Sequence, residues 1–200
     1  AGPRERTPVT PAAVASFASI VRHHPGGLRQ SLRSGEPLAA VETFLDVFAD
    51  PSLGWDDLAF LRERTRLPIV LKGVLHPDDA RRAVDAGVDA VQVSTHGGRQ
   101  IDGEVAALDA LPGVVEAVDG RLPVLFDSGI RGGADVVIAL ALGARAVAIG
   151  RPYAYALAVA GERGVRELLR NVIAELDITL GLAGVRRAAD LDASVLVSRP

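Results

Sequence analysis

From Asp50 onward, short apolar runs alternate with longer stretches in which apolar residues recur every three or four positions. The runs Leu67–Lys72, Ala90–Ser94, Pro123–Asp127 and Ala146–Ile149 are rich in Val, Ile and Leu and predict strands. Between them the spacing predicts helices over Trp55–Arg64, Pro77–Ala86, Val105–Val118 and Ala134–Leu142, with a mostly helical tail over Tyr153–Ile178. Pro77 suits the first turn of its helix, where no intrahelical bond is lost, whereas Pro112 is expected to interrupt the helix that contains it.

Strands separated by helices imply βαβ units and a parallel sheet. The alternation also repeats. Leu67-Pro68-Ile69-Val70-Leu71-Lys72 matches Leu122-Pro123-Val124-Leu125-Phe126-Asp127 at an offset of 55, and Gly87-Val88-Asp89-Ala90-Val91 matches Gly143-Ala144-Arg145-Ala146-Val147 at an offset of 56. Successive similar quarters build a (β/α)8 barrel, so four strands predict half of one, with two open edges and an apolar inner face.

Residues 1–50 break the pattern with Pro3, Pro8, Pro11, Pro25 and Pro37 and the Gly26-Gly27 pair. Prolines at helix starts predict two short helices, Pro11–Val21 and Pro37–Phe48. The segment reads as an irregular excursion that covers a sheet edge or acts as a lid, against the plainer reading of a partly disordered tail. The regular body is residues 51–200.

Composition narrows the class. The 200 residues are 48% hydrophobic, enough for one core. Lys and Arg number 22 against 25 Asp and Glu, and the net charge of −3 offers no basic surface for nucleic acid. No apolar run approaches the ~20 residues that span a bilayer. The opening Ala1-Gly2-Pro3-Arg4-Glu5-Arg6 leads into no signal-type apolar segment. With no cysteine, disulfide and thiolate chemistry are excluded, and a cytoplasmic location is the expectation. Methionine is absent even at position 1, which reads as a fragment or a processed product.

Polar groups gather where the strands end, the side on which parallel α/β folds collect catalytic residues. Lys72 closes the first strand, Ser94-Thr95-His96-Gly97-Gly98-Arg99-Gln100 follows the second, Asp127-Ser128-Gly129-Ile130-Arg131-Gly132-Gly133 the third, and Gly150-Arg151-Pro152 the fourth. His96 and Arg99 put an imidazole, able to take a proton near neutral pH, close to a planar fork for a carboxylate. Gly129, Gly132 and Gly133 leave backbone N–H groups exposed ahead of a helix, and Arg131 and Arg151 add charged donors, the makings of a phosphate site. Each feature has a plainer reading alone: a structural histidine, a solvated Lys72, an Asp127 that caps its own turn. Two cationic glycine turns on successive strands outweigh those. Arg81, Arg82 and Arg145 read as solvent-facing, and Trp55, Tyr153 and Tyr155 as packing residues.

Over residues 50–190, the segments Leu71-Lys72-Gly73, Ser94 to Gln100, Asp127 to Arg131 and Gly150 to Pro152 resemble the FMN-dependent α-hydroxy-acid dehydrogenases and oxidases, a family that includes glycolate oxidase, lactate oxidase and lactate 2-monooxygenase. Leu125 to Arg131 and Arg151 to Ala154 look most like the lactate 2-monooxygenase branch. The resemblance implies an α/β (β/α)8 TIM-barrel flavoprotein, of which this chain is the C-terminal half, that binds FMN, oxidises a small 2-hydroxy acid such as L-lactate, and passes electrons to oxygen or another acceptor. It implies His96 as the base, Arg99 on the substrate carboxylate, Lys72 beside flavin N1 and O2, and Ser94 on the cofactor. Asp127, Ser128, Gly129, Ile130 and Arg131, with Gly150 and Arg151, would hold the ribityl chain and phosphate. The family has Asn where this chain has Thr95, and its preceding strands supply substrate-contacting tyrosines and a carboxylate that orients the histidine, none of which can be matched here. Two functions are therefore carried forward. One is oxidation of a 2-hydroxy acid to the 2-oxo acid or its oxidative decarboxylation product; the other is a catalytically silent half-barrel that binds flavin or phosphate or serves assembly. Either is expected to form a homo-oligomer or to pair with a missing N-terminal half, with no metal, nucleic acid or membrane involved. A phosphosugar barrel is disfavoured because it leaves His96 and Arg99 without a task.

Overall fold

A computed structural model of the chain describes residues 52–197 continuously and, before them, only positions 11, 14, 15, 18, 19, 22, 30, 33, 34, 39, 40, 43 and 44. All of those isolated positions are helical. Nine of them fall inside the two expected helices, Pro11–Val21 and Pro37–Phe48, whose other residues lie outside the described set. Gln30, Arg33 and Ser34 are helical where the sequence predicted no element. The lid or tail role of residues 1–50 rests mostly on residues outside the described set. The chain divides into two units, Ala1–Gly54 and Trp55–Pro200, and every element below belongs to the second.

Four strands, β1 (Val70–Lys72), β2 (Ala90–Val93), β3 (Val124–Phe126) and β4 (Ala146–Val147), form one parallel sheet in the order β1-β2-β3-β4. They alternate with α1 (Asp57–Arg64), α2 (Pro77–Asp85), α3 (Ala107–Val118), α4 (Gly133–Ala141) and α5 (Arg151–Leu182), and two 3-10 turns follow at Ala188–Asp190 and Ala193–Val195. The sequence repeat is also a repeat of register. Val70 pairs with Ala90, and their counterparts Leu125 and Ala146 pair in the same way. A sheet whose sequence neighbours are all spatial neighbours and all parallel has the order of a (β/α)8 barrel; a doubly wound sheet reverses its order partway. Among the described residues β1 and β4 each have one strand neighbour.

The strands are shorter than predicted because pairing stops where the chain turns toward the loops, so Ser94, Asp127 and Ile149 lie just past the ladder. The core lies between the sheet and its helices. Val91 and Val93 are fully buried and Phe126 is 1% exposed, covered by a stripe of Ala110, Leu111, Val114, Ala117 and Val118 on α3. Contrary to expectation α3 runs unbroken through Pro112, which sits on its exposed side. An interior proline costs ~3 kcal/mol, and burial of Leu111 and Val114 at ~1.5–3 kcal/mol each more than offsets it. The tail is helical as expected, and α5 kinks where Ala160 and Gly161 leave helical geometry.

The C-terminal part of α5 packs against the start of α4 at Gly133. A Cβ there would run into the backbone of Glu175 and Leu176, so only glycine permits this approach. Gly133→Ala is expected to destabilise the chain by about 1–3 kcal/mol, the usual cost of overpacking, read as a lower urea midpoint with an unchanged slope.

Candidate active site

Side chains alternate across each strand, so burying Val91 and Val93 under the helices turns Gln92 and Ser94 to the opposite face. There they meet Lys72 and Asp127 from the neighbouring strands. The Asp127 carboxylate is the hub: Oδ1 accepts from the hydroxyls of Ser94 (2.5 Å) and Ser128 (2.6 Å), and Oδ2 accepts from Gln92 Nε2 (2.6 Å) and faces Lys72 Nζ at 3.3 Å. Lys72 Nζ also donates to Ser94 Oγ at 2.8 Å. Ser94, 2% exposed, is the one fully buried polar side chain among the described residues. Burial pushes the Asp127 carboxyl up, but hydrogen bonds from Ser128 and Ser94 and the Lys72 charge outweigh it and hold the group below the usual carboxylate range.

Because that depressed pKa lies below the unfolded value near 3.9, Asp127 contributes stability that is present above about pH 4 and lost as pH falls through its folded pKa. Asp127→Asn should therefore lower the denaturant midpoint at neutral pH, and the gap to wild type should shrink below about pH 4. Denaturant curves across that range check this; a gap that stays constant to pH ~2 removes the ionised hub.

The same two hydroxyls shape the loop after β2. Ser94 Oγ accepts from the His96 amide at 3.0 Å, and Ser128 Oγ accepts from the Thr95 and Gly97 amides at 3.1 Å each. Since both hydroxyls donate to Asp127, its charge orients them to accept from this loop. The loop needs such support. His96 (φ 52°) and Ser128 (φ 77°) are two of the three non-glycine residues with left-handed backbone among the described residues, a conformation that is held only where surroundings enforce it. Gly97 follows at φ 69°, and a Cβ on it would press on the guanidinium of Arg151, which donates to Gly97 O at 3.1 Å.

The His96 ring is half-buried between two exposed partners. Arg99 Nη2 lies 3.2 Å from Nε2, and Gln100 Nε2 lies 2.7 Å from Nδ1. A guanidinium only donates, so Nε2 accepts and the proton of a neutral ring is on Nδ1, which pairs with Gln100 only when the amide is turned over to present its oxygen in place of Nε2.

Lys72, His96, Arg99, Asp127, Ser128, Gly129, Ile130, Arg131, Gly150 and Arg151 all line one cleft of about 790 Å³. That is within the roughly 300–1,000 Å³ of ligand clefts. Ser94 alone of the predicted site residues is not in its wall; it lies beneath, bonded to Lys72 and Asp127. Two expectations change. The exposed amides read at Gly132 and Gly133 are taken: Asp135 accepts from Arg131 N (2.8 Å) and Gly132 N (3.2 Å), and Glu175 accepts from Gly133 N (2.8 Å). Gly129 and Ile130 remain as the turn's candidates for phosphate, next to the first turn of α5, which no side chain caps. Tyr153 and Tyr155, read as packing residues, are 47% and 66% exposed and line the cleft, whereas Trp55 does pack, with Arg82 over its ring. Gln92, Gln100, Asp135 and Glu175 were missed. Gln100 stood inside the run already singled out, but the others are polar residues on regular elements and carry no local signal.

An FMN-sized group fits this donor set. Arg131 and Arg151 supply charge for a phosphate, Ile130, Ile149 and Tyr153 an apolar wall, and Lys72 a cation for a ring that becomes negative on reduction. No group of His, Asp or Glu suited to a metal occurs among the described residues, and no helix among them is long and apolar enough to cross a membrane.

The comparisons agree with that chemistry. An L-lactate oxidase of Lysinibacillus sphaericus is 50% identical over 147 residues, covering 74% of this chain and 38% of that protein. An L-lactate dehydrogenase of Caulobacter vibrioides is 46% identical over 177 residues, 88% of this chain and 46% of that protein. A solved mandelate oxidase with a monooxide FMN adduct is 51% identical, with a TM-score of 0.65 over 66% of this chain and 42% of that one. The chain thus spans less than half the length of these relatives. The profile of FMN-dependent dehydrogenases matches residues 3–198, which extends the likeness through the first fifty residues, beyond the motifs that first suggested it. The chain belongs to the FMN-dependent dehydrogenase family.

Proposed function

We propose that the chain binds FMN and oxidises a small L-2-hydroxy acid, with lactate the leading candidate. The observation that carries this is the gathering of His96, Arg99, Lys72, Arg131 and Arg151 around a single cleft. The names of its relatives, lactate oxidase, lactate dehydrogenase and mandelate oxidase, share a 2-hydroxy acid and support the substrate class.

Arg131 and Arg151 hold the cofactor's phosphate, with Gly129, Ile130 and Gly150 beside it. When bound, FMN supplies the two-electron acceptor. Lys72, fixed by Ser94 and Asp127, keeps a cation where negative charge develops. Arg99 takes the substrate carboxylate in its fork and so leaves His96 Nε2, which it occupies otherwise. That frees the lone pair of Nε2 to take the proton of the substrate hydroxyl. Ser94 and Ser128 hold the loop so that the ring does not drift during the transfer.

One observation favours a second reading, a flavin-binding module without turnover: among the described residues no carboxylate reaches the His96 ring to stabilise its charged form. Titrating the chain with FMN, followed by L-lactate without oxygen, separates the two. Binding followed by loss of the flavin band near about 450 nm supports oxidation. Binding with no bleaching favours the silent module, and failure to bind FMN removes both.

A further inference from the structure

The phosphate turn is held from a distance. Arg131 ends a turn whose next three amides are all engaged by carboxylates: Arg131 N and Gly132 N by Asp135, and Gly133 N by Glu175, 42 residues further on. Asp135 belongs to the same helix as the turn and gives a local cap. Glu175 does something different. It sits beyond the kink of α5, the helix whose first residue is Arg151, the second cation of the cleft. The segment of α5 beyond the kink therefore grips the turn that carries Arg131, while the segment before it begins with Arg151. The grip is close: the approach of Glu175 and Leu176 leaves no room for a Cβ at Gly133, and the Glu175 carboxylate occupies the place of a Cβ at Gly132.

We infer that Glu175 is a positioning residue for the phosphate subsite: it fixes the Gly132-Gly133 turn, and with it Arg131, to the segment of α5 beyond the kink. It touches no cofactor or substrate. The inference rests on the proposed binding of FMN at this cleft and deepens it, because it makes phosphate affinity depend on a side chain outside the cleft wall. A carboxylate accepting a backbone N–H at a helix start is a charge-assisted bond, and its loss frees the turn without removing either arginine.

The test compares FMN with riboflavin, which has the ring and ribityl chain but no phosphate, by quenching of flavin fluorescence. Glu175→Ala is expected to weaken FMN about tenfold, equivalent to about 1.4 kcal/mol, and to leave riboflavin within twofold. Glu175→Gln, whose amide oxygen still accepts from Gly133 N, should recover most of the loss. Hydrogen exchange on the chain without flavin gives a second readout: the Gly133 amide should exchange faster in Glu175→Ala, while the amides of β2 and β3 stay protected. Equal weakening of both ligands, or unchanged exchange at the turn, overturns the inference. Arg131→Ala is the control for the parent reading. If it too fails to separate FMN from riboflavin, the phosphate subsite itself is wrong; if it separates them and Glu175→Ala does not, only the positioning role falls.

Discussion

Replacing His96 with Gln is expected to lower the rate of flavin reduction by L-lactate by about 10²–10⁴-fold, the usual contribution of a positioned general base. FMN affinity should hold. Glutamine keeps a polar group in the space of the ring and leaves the loop its hydrogen bonds, which come from the His96 amide to Ser94 and from its neighbours to Ser128 rather than from the imidazole. What it removes is the lone pair at Nε2, the atom that Arg99 contacts at 3.2 Å. Anaerobic stopped-flow mixing reads the effect. A variant that reduces its flavin within threefold of wild type would mean that another group takes the proton, and His96 would be a structural member of the loop.

Arg99→Lys should lower kcat/KM for L-lactate by about 10–150-fold, the value of one hydrogen bond to a charged group at roughly 1.5–3 kcal/mol. Lysine retains the charge but not the planar fork, so it can hold one carboxylate oxygen and leaves the α-carbon free to swing. The loss should include kcat, because a substrate bound by one oxygen is held in the wrong orientation for His96. It should also be larger for lactate than for a neutral analogue such as lactamide, which has no carboxylate to fork. An equal loss for lactate and lactamide would place Arg99 on the His96 ring rather than on the substrate.

Local patterning made the fold class and most of the cleft readable in advance. Strands of Val, Ile and Leu with helical spacing between them are nearest-neighbour properties of a chain, and the repeat of Val70 and Ala90 in Leu125 and Ala146 turned out to be a repeat of strand register. Strand ends on one side of a parallel sheet must face the same way, so His96, Arg99, Lys72, Arg131 and Arg151 could be expected to converge without any distance being known. Boundaries were less readable. Pro112 lies inside α3 because burial on its far side overrides the propensity at one position, and α5 kinks where Gly161 takes a left-handed backbone (φ 58°).

What only the tertiary structure decided is which polar groups satisfy one another. Asp127 became a hub because β1, β2 and β3 bring Lys72, Gln92 and Ser94 to its two oxygens, from 55, 35 and 33 residues away. The helix-start amides that looked open for phosphate were claimed by Asp135 and Glu175, the latter 42 residues from its partner. Sequence by itself determined the types of group available and the side of the sheet on which they stand, since these follow from alternation and chain order. Partnership between them follows from desolvation and distance across strands and helices, and no local stretch of sequence encodes either.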